Sequence, residues 1–481
     1  VSVASPARST SRASTPDLVN PFPMRYPNSS SRQVMTRRGW WLVILNFLIP
    51  GSAQAAAGSR KLARIGLFAT LLMWALVVLV AITALLWRSV LFTLGTNWFV
   101  LLLVQGLCLA YAALWIVLTI DTLRIVRLVK AKPFARFGIV ALAAILVLAS
   151  SGGAAYAANA AGATRGAIVD IFGSSAPAVP PSDGYYNILV LGADSGEGRD
   201  SMRFDSISVV SVNADTGAVT ITGLPRDMGH FPFAAGPMQD LYPDGHTGYS
   251  DPVCGWGSGL NQLRTEVEVC RDGAALYPDA KDNGSEPGVE ATKDAAEGIL
   301  GIEIPYYVFI DMDGFAALID ALGGVDINVT ERLPEGGGPA YEGQPAEDWA
   351  IGWIEVGQQH MDGNTAQWYA RSRYTTSDWD RMQRQRELQE AMLAQFTPEN
   401  VLSRFQDIVA AGTHLVETDV PQSLLPTLAE LAVDAKSQPV TTIELTPEAN
   451  NIDQDDPDID HIHELMQTTL HPPSATPTPS D

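Results

Sequence analysis

Hydrophobic and polar positions divide this 481-residue chain into two regimes. Three long apolar runs, 65–87, 98–120 and 137–159, are each long enough to cross a hydrocarbon core of about 30 Å as a helix. A fourth run, 40–57, is shorter and is broken by Asn46, Pro50-Gly51 and Gln54. It reads as a re-entrant or interfacial element, with a fourth span as the alternative. Beyond residue 185 the period changes. The run 187–191 (NILVL), ending at Gly192, reads as a buried strand. Runs 207–212 and 218–224, joined by the turn-rich 213–217, read as a hairpin. A helical stretch at 290–300, a strand at 306–311, a helix at 314–322, the turn Gly323-Gly324 and a strand at 325–329 follow. Helices at 364–369, 381–396, 402–411 and 423–433 precede a last strand at 440–445. This alternation predicts an α/β domain, a mixed central sheet flanked by helices, behind an all-α transmembrane region.

Composition sets the expected boundaries. Residues 1–36 are polar and rich in Ser, Pro and Arg, with no evident cleavable signal, and read as a disordered cytoplasmic tail. The transmembrane region covers 37–160, a linker 161–184 and an outer domain 185–447, which at about 260 residues can hold one full core. The last stretch, 448–481, is acidic and then Pro/Ser/Thr-rich, and is expected to be disordered.

Charge separates the halves further. Residues 1–157 carry 15 Lys/Arg and two acids, whereas the remainder carries 16 Lys/Arg and 51 acids. The acidic part lacks the basic surface that nucleic acids require, so no nucleic-acid partner is expected. Arg60, Lys61 and Arg64 precede the first span, and Arg124, Arg127, Lys130, Lys132 and Arg136 crowd the connection from the second to the third. Only Arg88 lies between the first two. Positive charge marks cytoplasmic loops, so the chain is expected to be a multi-pass cell-membrane protein with its large domain extracellular. Cys108 falls mid-span as an apolar packing residue. Cys254 and Cys270, the two cysteines of the exported part, read as a disulfide, since a zinc site would need two more ligands at standard spacing.

Chemistry concentrates at two places. The hairpin's open end carries Asp205 on one arm and Pro225-Arg226-Asp227 on the other, and the preceding strand ends beside Asp194. Asp194, Arg203, Asp205, Arg226 and Asp227 can therefore gather at one sheet edge. Carboxylates brought that close repel unless a cation compensates, and a hard ion such as Mg²⁺ with phosphate oxygens suits them; a solvated acidic loop is the alternative. The second place is 371–386, RSRYTTSDWDRMQRQR. Arg371 and Arg373 share a face of an extended segment, Ser377 and Asp380 form a capping-box-like start, and Arg381, Arg384, Gln385 and Leu388 make one helical stripe. Guanidinium forks match phosphate oxygens, although ion pairs with the many acids would also use them. No Ser-His-Asp or Cys-His constellation is offered. His461 and His463 read as incidental surface histidines, and Trp349, Trp353, Trp368 and Trp379 suit either sugar stacking or core packing.

These residues resemble a family. NILVLGADSG, RFDSISVVSV, ITGLPRDM, YYVFIDMDGFAALIDALGGVDINV and GQQHMDGNTAQWYARSRYTTSDWDRMQRQRELQ look like the successive signatures of the LytR–CpsA–Psr family, over roughly 187–397. The several spans ahead of the domain resemble actinobacterial members. The resemblance implies a membrane-anchored phosphotransferase that moves a glycopolymer from a polyprenyl-pyrophosphate carrier onto peptidoglycan in cell-wall assembly. It implies Mg²⁺ (or Mn²⁺) held by Asp194 and Asp205, and a pyrophosphate clamp of Arg203, Arg226, Arg371, Arg373, Arg381 and Gln385 with Arg384 in support. Asp378 aligns with a family acid near the phosphates, and Asp378 or Asp227 is the expected proton acceptor. The chain departs from the pattern at Gly196, where a basic residue is common and only Arg199 lies nearby. It departs again at Phe204-Asp205-Ser206, and at Gly259, where a lysine often precedes the asparagine now at Asn261. A lipid-pyrophosphate hydrolase and a non-catalytic envelope sensor or glycan-binding module remain as alternatives.

Overall fold

The computed structural model describes residues 24–173, 177–193, 203–248, 259–341, 343–372, 376–395, 404, 407, 408, 411 and 416–472. The chain divides into two compact units, one made of residues up to 82 with 104–159, the other of 83–103 with everything from 160 onward. Helices α1 (Arg32–Leu48), α2 (Ser52–Ala57), α3 (Arg60–Leu86), α4 (Arg88–Thr96), α5 (Trp98–Val126) and α6 (Pro133–Ile171) come first. Of these, α3, α5 and α6 are long and apolar enough to cross a membrane.

In the first unit, the segment α1–α2 enters and returns alongside α5. A Cβ at Gly39 would touch Val126, the Asn46 amide donates to Thr119 Oγ1 at 3.3 Å, and Gln54 Nε2 donates to the Leu118 carbonyl and Thr122 Oγ1 at 2.9 and 3.0 Å. Gly58 then lies back at Ile125. The run at 40–57 thus goes in about 10 Å, at 1.5 Å per helical residue, and comes out again instead of running the length of its neighbour. Gly51 makes the reversal: its φ is +94°, and a Cβ there would lie 2.7 Å from Leu67 N and 2.9 Å from Gly66. The polar residues that interrupt this apolar run are buried and hydrogen-bonded. The expected tail gives way earlier than 36. Ser31 caps α1, Met35 is fully buried, and the Arg38 guanidinium ties the Met24 and Ile125 carbonyls together at 2.7 and 2.9 Å.

In the second unit, α6 absorbs the start of the expected linker, because no proline follows Pro133 until Pro177, and Ala161, Ala167 and Ile168 are buried. The central sheet holds β1 (Tyr185–Ala193), β2 (Phe204–Asn213), β3 (Val219–Leu224), β4 (Tyr306–Asp311), β9 (Val416–Thr418) and β10 (Thr441–Glu444) in the order β10-β3-β2-β1-β4-β9. It is mixed: β1–β4 and β10–β3 run parallel, the other pairs antiparallel. One face, including Leu189, Leu191, Ile207 and Val209, packs against α7 (Pro287–Leu300) through Ala291, Ala295 and Ile299. β5 (Val325–Val329) stands outside this sheet. It pairs with β8 (Gly357–Met361), while β6 (Leu333–Glu335) pairs with β7 (Gly352–Ile354), so 325–361 forms an antiparallel ribbon. The ribbon packs with α8 (Met312–Leu322), α9 (Gly363–Arg371) and α10 (Asp378–Gln395) around Ile319, Val325, Tyr369 and Leu388. Helix α11 (Leu425–Ala435) precedes β10. Most of the helix expected at 402–411 lies outside the described residues.

The domain does not end at 447, nor is 448–472 disordered. Ile459, Ile462, Met466 and Leu470 recur at helical spacing in α12 (Ile459–Leu470), capped by Asp458, and Ile452, Ile462, Met466 and Leu470 are buried in the main core. Acidic composition at 453–460 masked an amphipathic helix whose apolar stripe completes the sheet's cover.

Candidate functional site

The site begins with a break in a strand ladder. β1 pairs with β2 through Gly192↔Ser206 and then Ala193↔Phe204, which leaves Asp205 as the extra residue of a β-bulge. The residues around it are held: Phe204 is fully buried with its ring 6.1 Å from that of Phe309, and Ile207 is buried in the same core. The aromatic residue that departs from the family pattern is therefore the anchor that projects its neighbour. The β2–β3 ladder stops at Ile207↔Leu224, and 225–228 turns, with Met228 N bonded to the Pro225 carbonyl at 3.1 Å. From this turn Arg226 reaches back, Nη1 lying 2.5 Å from Asp205 Oδ1 and Nε 3.4 Å from Asp227 Oδ2. One guanidinium, only 14% exposed, thus joins both carboxylates.

The segment 259–261 fastens the turn. Leu260 N bonds to the Met228 carbonyl at 3.0 Å and Asn261 N to the Arg226 carbonyl at 2.8 Å, while the Asn261 amide points at Asp227 Oδ1 from 3.4 Å. This close approach explains Gly259: its φ is +51°, and a Cβ would fall 2.3 Å from the Asp227 carbonyl carbon.

The arginine-rich helix is α10. Its start is a capping box with Asp in place of Glu: Asp380 N bonds to Ser377 Oγ at 3.2 Å, and Asp380 Oδ2 accepts from Ser377 N and Oγ, both at 2.7 Å. Those bonds from Ser377 hold the Asp380 carboxyl below its ordinary pKa. Arg381, Arg384, Gln385 and Arg386 are all buried. Their roles differ. Arg384 Nε donates to the Tyr369 carbonyl at 3.0 Å and its Nη2 to the Ser372 carbonyl, and Gln385 donates to the Ala370 carbonyl at 3.4 Å. These two satisfy the last carbonyls of α9, so they hold the end of the helix that carries Arg371. Arg371 itself lies over the Trp368 ring at 5.7 Å.

Arg386 escaped the sequence reading because it lies off the stripe of 381, 384, 385 and 388. Its Nε lies 3.3 Å from Glu444 of β10, and its Nη2 lies 3.4 Å from Ser206 Oγ, the neighbour of Asp205. Burial lowers the guanidinium's pKa and raises that of Glu444. This enclosed pair, with Gln389 on Ser208 at 3.3 Å, fixes α10 across the sheet and brings the two predicted clusters to one end of it.

A further polar cluster also went unread. Buried Glu266 accepts from His246 Nε2 and Arg271 Nε at 2.9 and 2.8 Å and from the Tyr242 hydroxyl. Gly248 N donates to His246 Nδ1 at 2.9 Å, which assigns the ring proton to Nε2. Burial raises the Glu266 pKa, but the bonds from His246, Tyr242 and Arg271 outweigh it and bring the value to about 2.

Arg203 precedes β2 and is exposed. Asp194, Gly196, Arg199, Arg373 and Cys254 lie outside the described residues, as does the side chain of Asp378. Cys270 is disulfide-bonded and Cys108 is free. His461 and His463 meet the carbonyls of Asn450 and Gly298, and no group of three or more His, Cys, Asp or Glu that would hold a metal occurs among the described residues. Trp353 carries the Arg332 guanidinium 3.8 Å above its ring, and Trp368 packs on the second core.

The model of the LytR_cpsA_psr family matches residues 153–230 and 274–469, more than half of the chain. The chain belongs to the LytR_cpsA_psr family. The match runs into α12, so this family's domain includes the C-terminal helix. Relatives include two proteins named polyisoprenyl-teichoic acid–peptidoglycan teichoic acid transferase TagU. That of Halalkalibacterium halodurans is 27% identical over 239 residues, 49% of this chain and 61% of its own. That of Enterococcus faecalis is 29% identical over 256 residues, 52% and 66%. Among solved structures, B. subtilis TagV is 20% identical, covering 60% of this chain and 97% of its own with a TM-score of 0.39. The chain spans about three fifths of the length of the curated relatives it matches.

Proposed function

We propose that this LytR_cpsA_psr family member is a membrane-anchored phosphotransferase that moves a glycopolymer from a polyprenyl-pyrophosphate carrier to peptidoglycan. The observation that carries the reading is Asp205, lifted from its ladder by a bulge and joined by Arg226 beside an arginine-bearing helix. The relatives' names support the same chemistry. Aspartate carboxylates offer only hard oxygen donors, which fits a magnesium or manganese ion. Asp205 with Asp194 would hold it, and the ion would supply positive charge against the donor diphosphate.

The protein's own groups do the rest. Arg226, Arg371, Arg373 and Arg381, with Arg203 at the rim, grip the diphosphate, while Arg384 and Gln385 keep Arg371 in place. A peptidoglycan hydroxyl attacks the sugar-bearing phosphorus; its O–P bond forms as the bridging P–O bond to the polyprenyl phosphate breaks. The hydroxyl proton passes to a carboxylate, Asp227 or Asp378. Transfer of this kind depends on positioning and charge stabilisation, which a set of arginines provides. The orientation that suits the reaction is multi-pass with the large domain outside; external labelling of cysteines introduced near Lys130 would refute it.

The test is to incubate the full-length protein with a lipid-pyrophosphoryl saccharide, with and without peptidoglycan fragments, and to identify the products. A phosphodiester-linked conjugate, lost in Asp205→Ala and Arg371→Lys, is expected. Release of phosphosaccharide with the acceptor ignored would make the protein a hydrolase. Binding without turnover would make it a sensor or glycan-binding module.

A further inference from the structure

Helix α4 joins the first two apolar spans, and by sequence it is merely a short connection. In the fold it belongs to the catalytic unit, together with the ends of α3 and α5. Its first residue, Arg88, lies 2.9 Å from Asp434 and 3.3 Å from Glu430 of α11. Its last residue, Thr96, accepts from Gln422 Nε2 at 2.8 Å, just ahead of that helix. The two helices therefore lie side by side and antiparallel, matched at both ends. Leu425, at the start of α11, continues the seam by packing on Leu101, Ala161 and Ile168.

The faces of α4 differ in kind. Leu91, Phe92 and Thr96, spaced by helical turns from Arg88, are half-buried. Val90 and Leu94 point the other way and are 47% and 43% exposed, flanked by exposed Trp87 and Trp98. The helix's one charge, Arg88, faces α11, so nothing charged interrupts the outward apolar side. Apolar side chains bounded by tryptophans, at the junctions of two apolar spans, match the chemistry of a bilayer interface.

We infer that α4 is an interfacial bracket, its polar face gripping α11 of the catalytic unit and its apolar face bedded in the lipid interface. The catalytic unit is then fastened through the connection between the first two spans as well as through α6. If the proposed reaction is correct, this keeps the arginine cluster within reach of a diphosphate whose lipid tail stays in the bilayer.

The test uses the full-length protein in lipid nanodiscs and needs no transfer activity, so its outcome is independent of the proposed reaction. Backbone amides of 88–96 and 425–435 should be protected from hydrogen exchange. Arg88→Glu should speed exchange several-fold in both helices, and adding Asp434→Arg should restore protection. A fluorophore on Leu94→Cys, in a Cys108→Ala background, should be quenched by brominated lipid. Exchange in α11 indifferent to Arg88→Glu, failure of the charge swap to restore protection, or no quenching at position 94 would each overturn the bracket.

Discussion

At the scale of single residues, Arg226 is the centre of the proposed site, its guanidinium meeting Asp205 and Asp227 from two different nitrogens. Lysine keeps the charge but offers one point of contact. Arg226→Lys should therefore bind the lipid-linked donor more weakly and lower transfer by about ten- to a hundredfold, the equivalent of losing one charge-assisted bond of roughly 1.5–3 kcal/mol. Single-turnover assays and donor binding, measured separately, check this; wild-type values in both would remove Arg226 from the machinery. Glu266 makes a different prediction. Its pKa of about 2 lies below the ordinary 4.5, because the bonds from His246, Tyr242 and Arg271 outweigh burial. The folded state thus binds its proton less tightly than the unfolded one. This contribution to stability is complete above pH 4.5 and disappears as pH falls toward 2. Thermal unfolding between pH 5 and pH 2.5 should show the acid-side loss in wild type and a smaller one in Glu266→Gln, which starts from lower stability at pH 5.

At the scale of elements, the site depends on segments that hold one another in unusual conformations. The segment 259–261 supports the 225–228 turn through two backbone bonds, and Gly259 permits it with a positive φ and no side chain. Alanine there would carry both left-handed strain and a collision with the Asp227 backbone. Gly259→Ala should cost about 1–3 kcal/mol of stability and lower transfer further by displacing Asp227 and Arg226. Urea unfolding with a parallel activity assay checks it, and a stable, fully active variant would show that the turn tolerates a shift. The capping box at Ser377 and Asp380 was legible in the sequence because a cap is a local matter of residues three apart. The fate of Arg384 and Gln385 was not. Helical spacing put them on the stripe with Arg381, but only the position of α9 decides that they bond to its terminal carbonyls.

At the scale of the whole molecule, α12 decides where the second unit's core ends. Its Ile462, Met466 and Leu470, with Ile452, fill the core that also holds Leu189, Ile207 and Ile299. Tyr185, at the start of β1, donates its hydroxyl to the Leu470 carbonyl at 2.5 Å, so the last helix closes on the first strand. Each buried aliphatic side chain removed costs about 2–5 kcal/mol. A chain truncated after residue 447 should fail to fold or should aggregate, whereas one truncated after 472 should keep the wild-type melting profile. Equal melting of both in detergent would show that α12 is dispensable.

What the sequence alone determined is what local geometry encodes. Apolar run lengths marked α3, α5 and α6, strand and helix periods predicted a mixed sheet with flanking helices, and basic loops set the expected orientation. Residue type and spacing also singled out Asp205, Arg226 and the 371–386 cluster as candidates for the proposed chemistry, because a side chain's face follows from its backbone period. Tertiary structure decided the rest. The bulge that projects Asp205 exists only where β1 and β2 pair, and the Arg386–Glu444 pair links α10 to a strand far along the chain. Arg88 meets Asp434 from 346 residues away. Such partners leave no periodic trace, since their contact depends on how distant elements pack and not on the residues beside them.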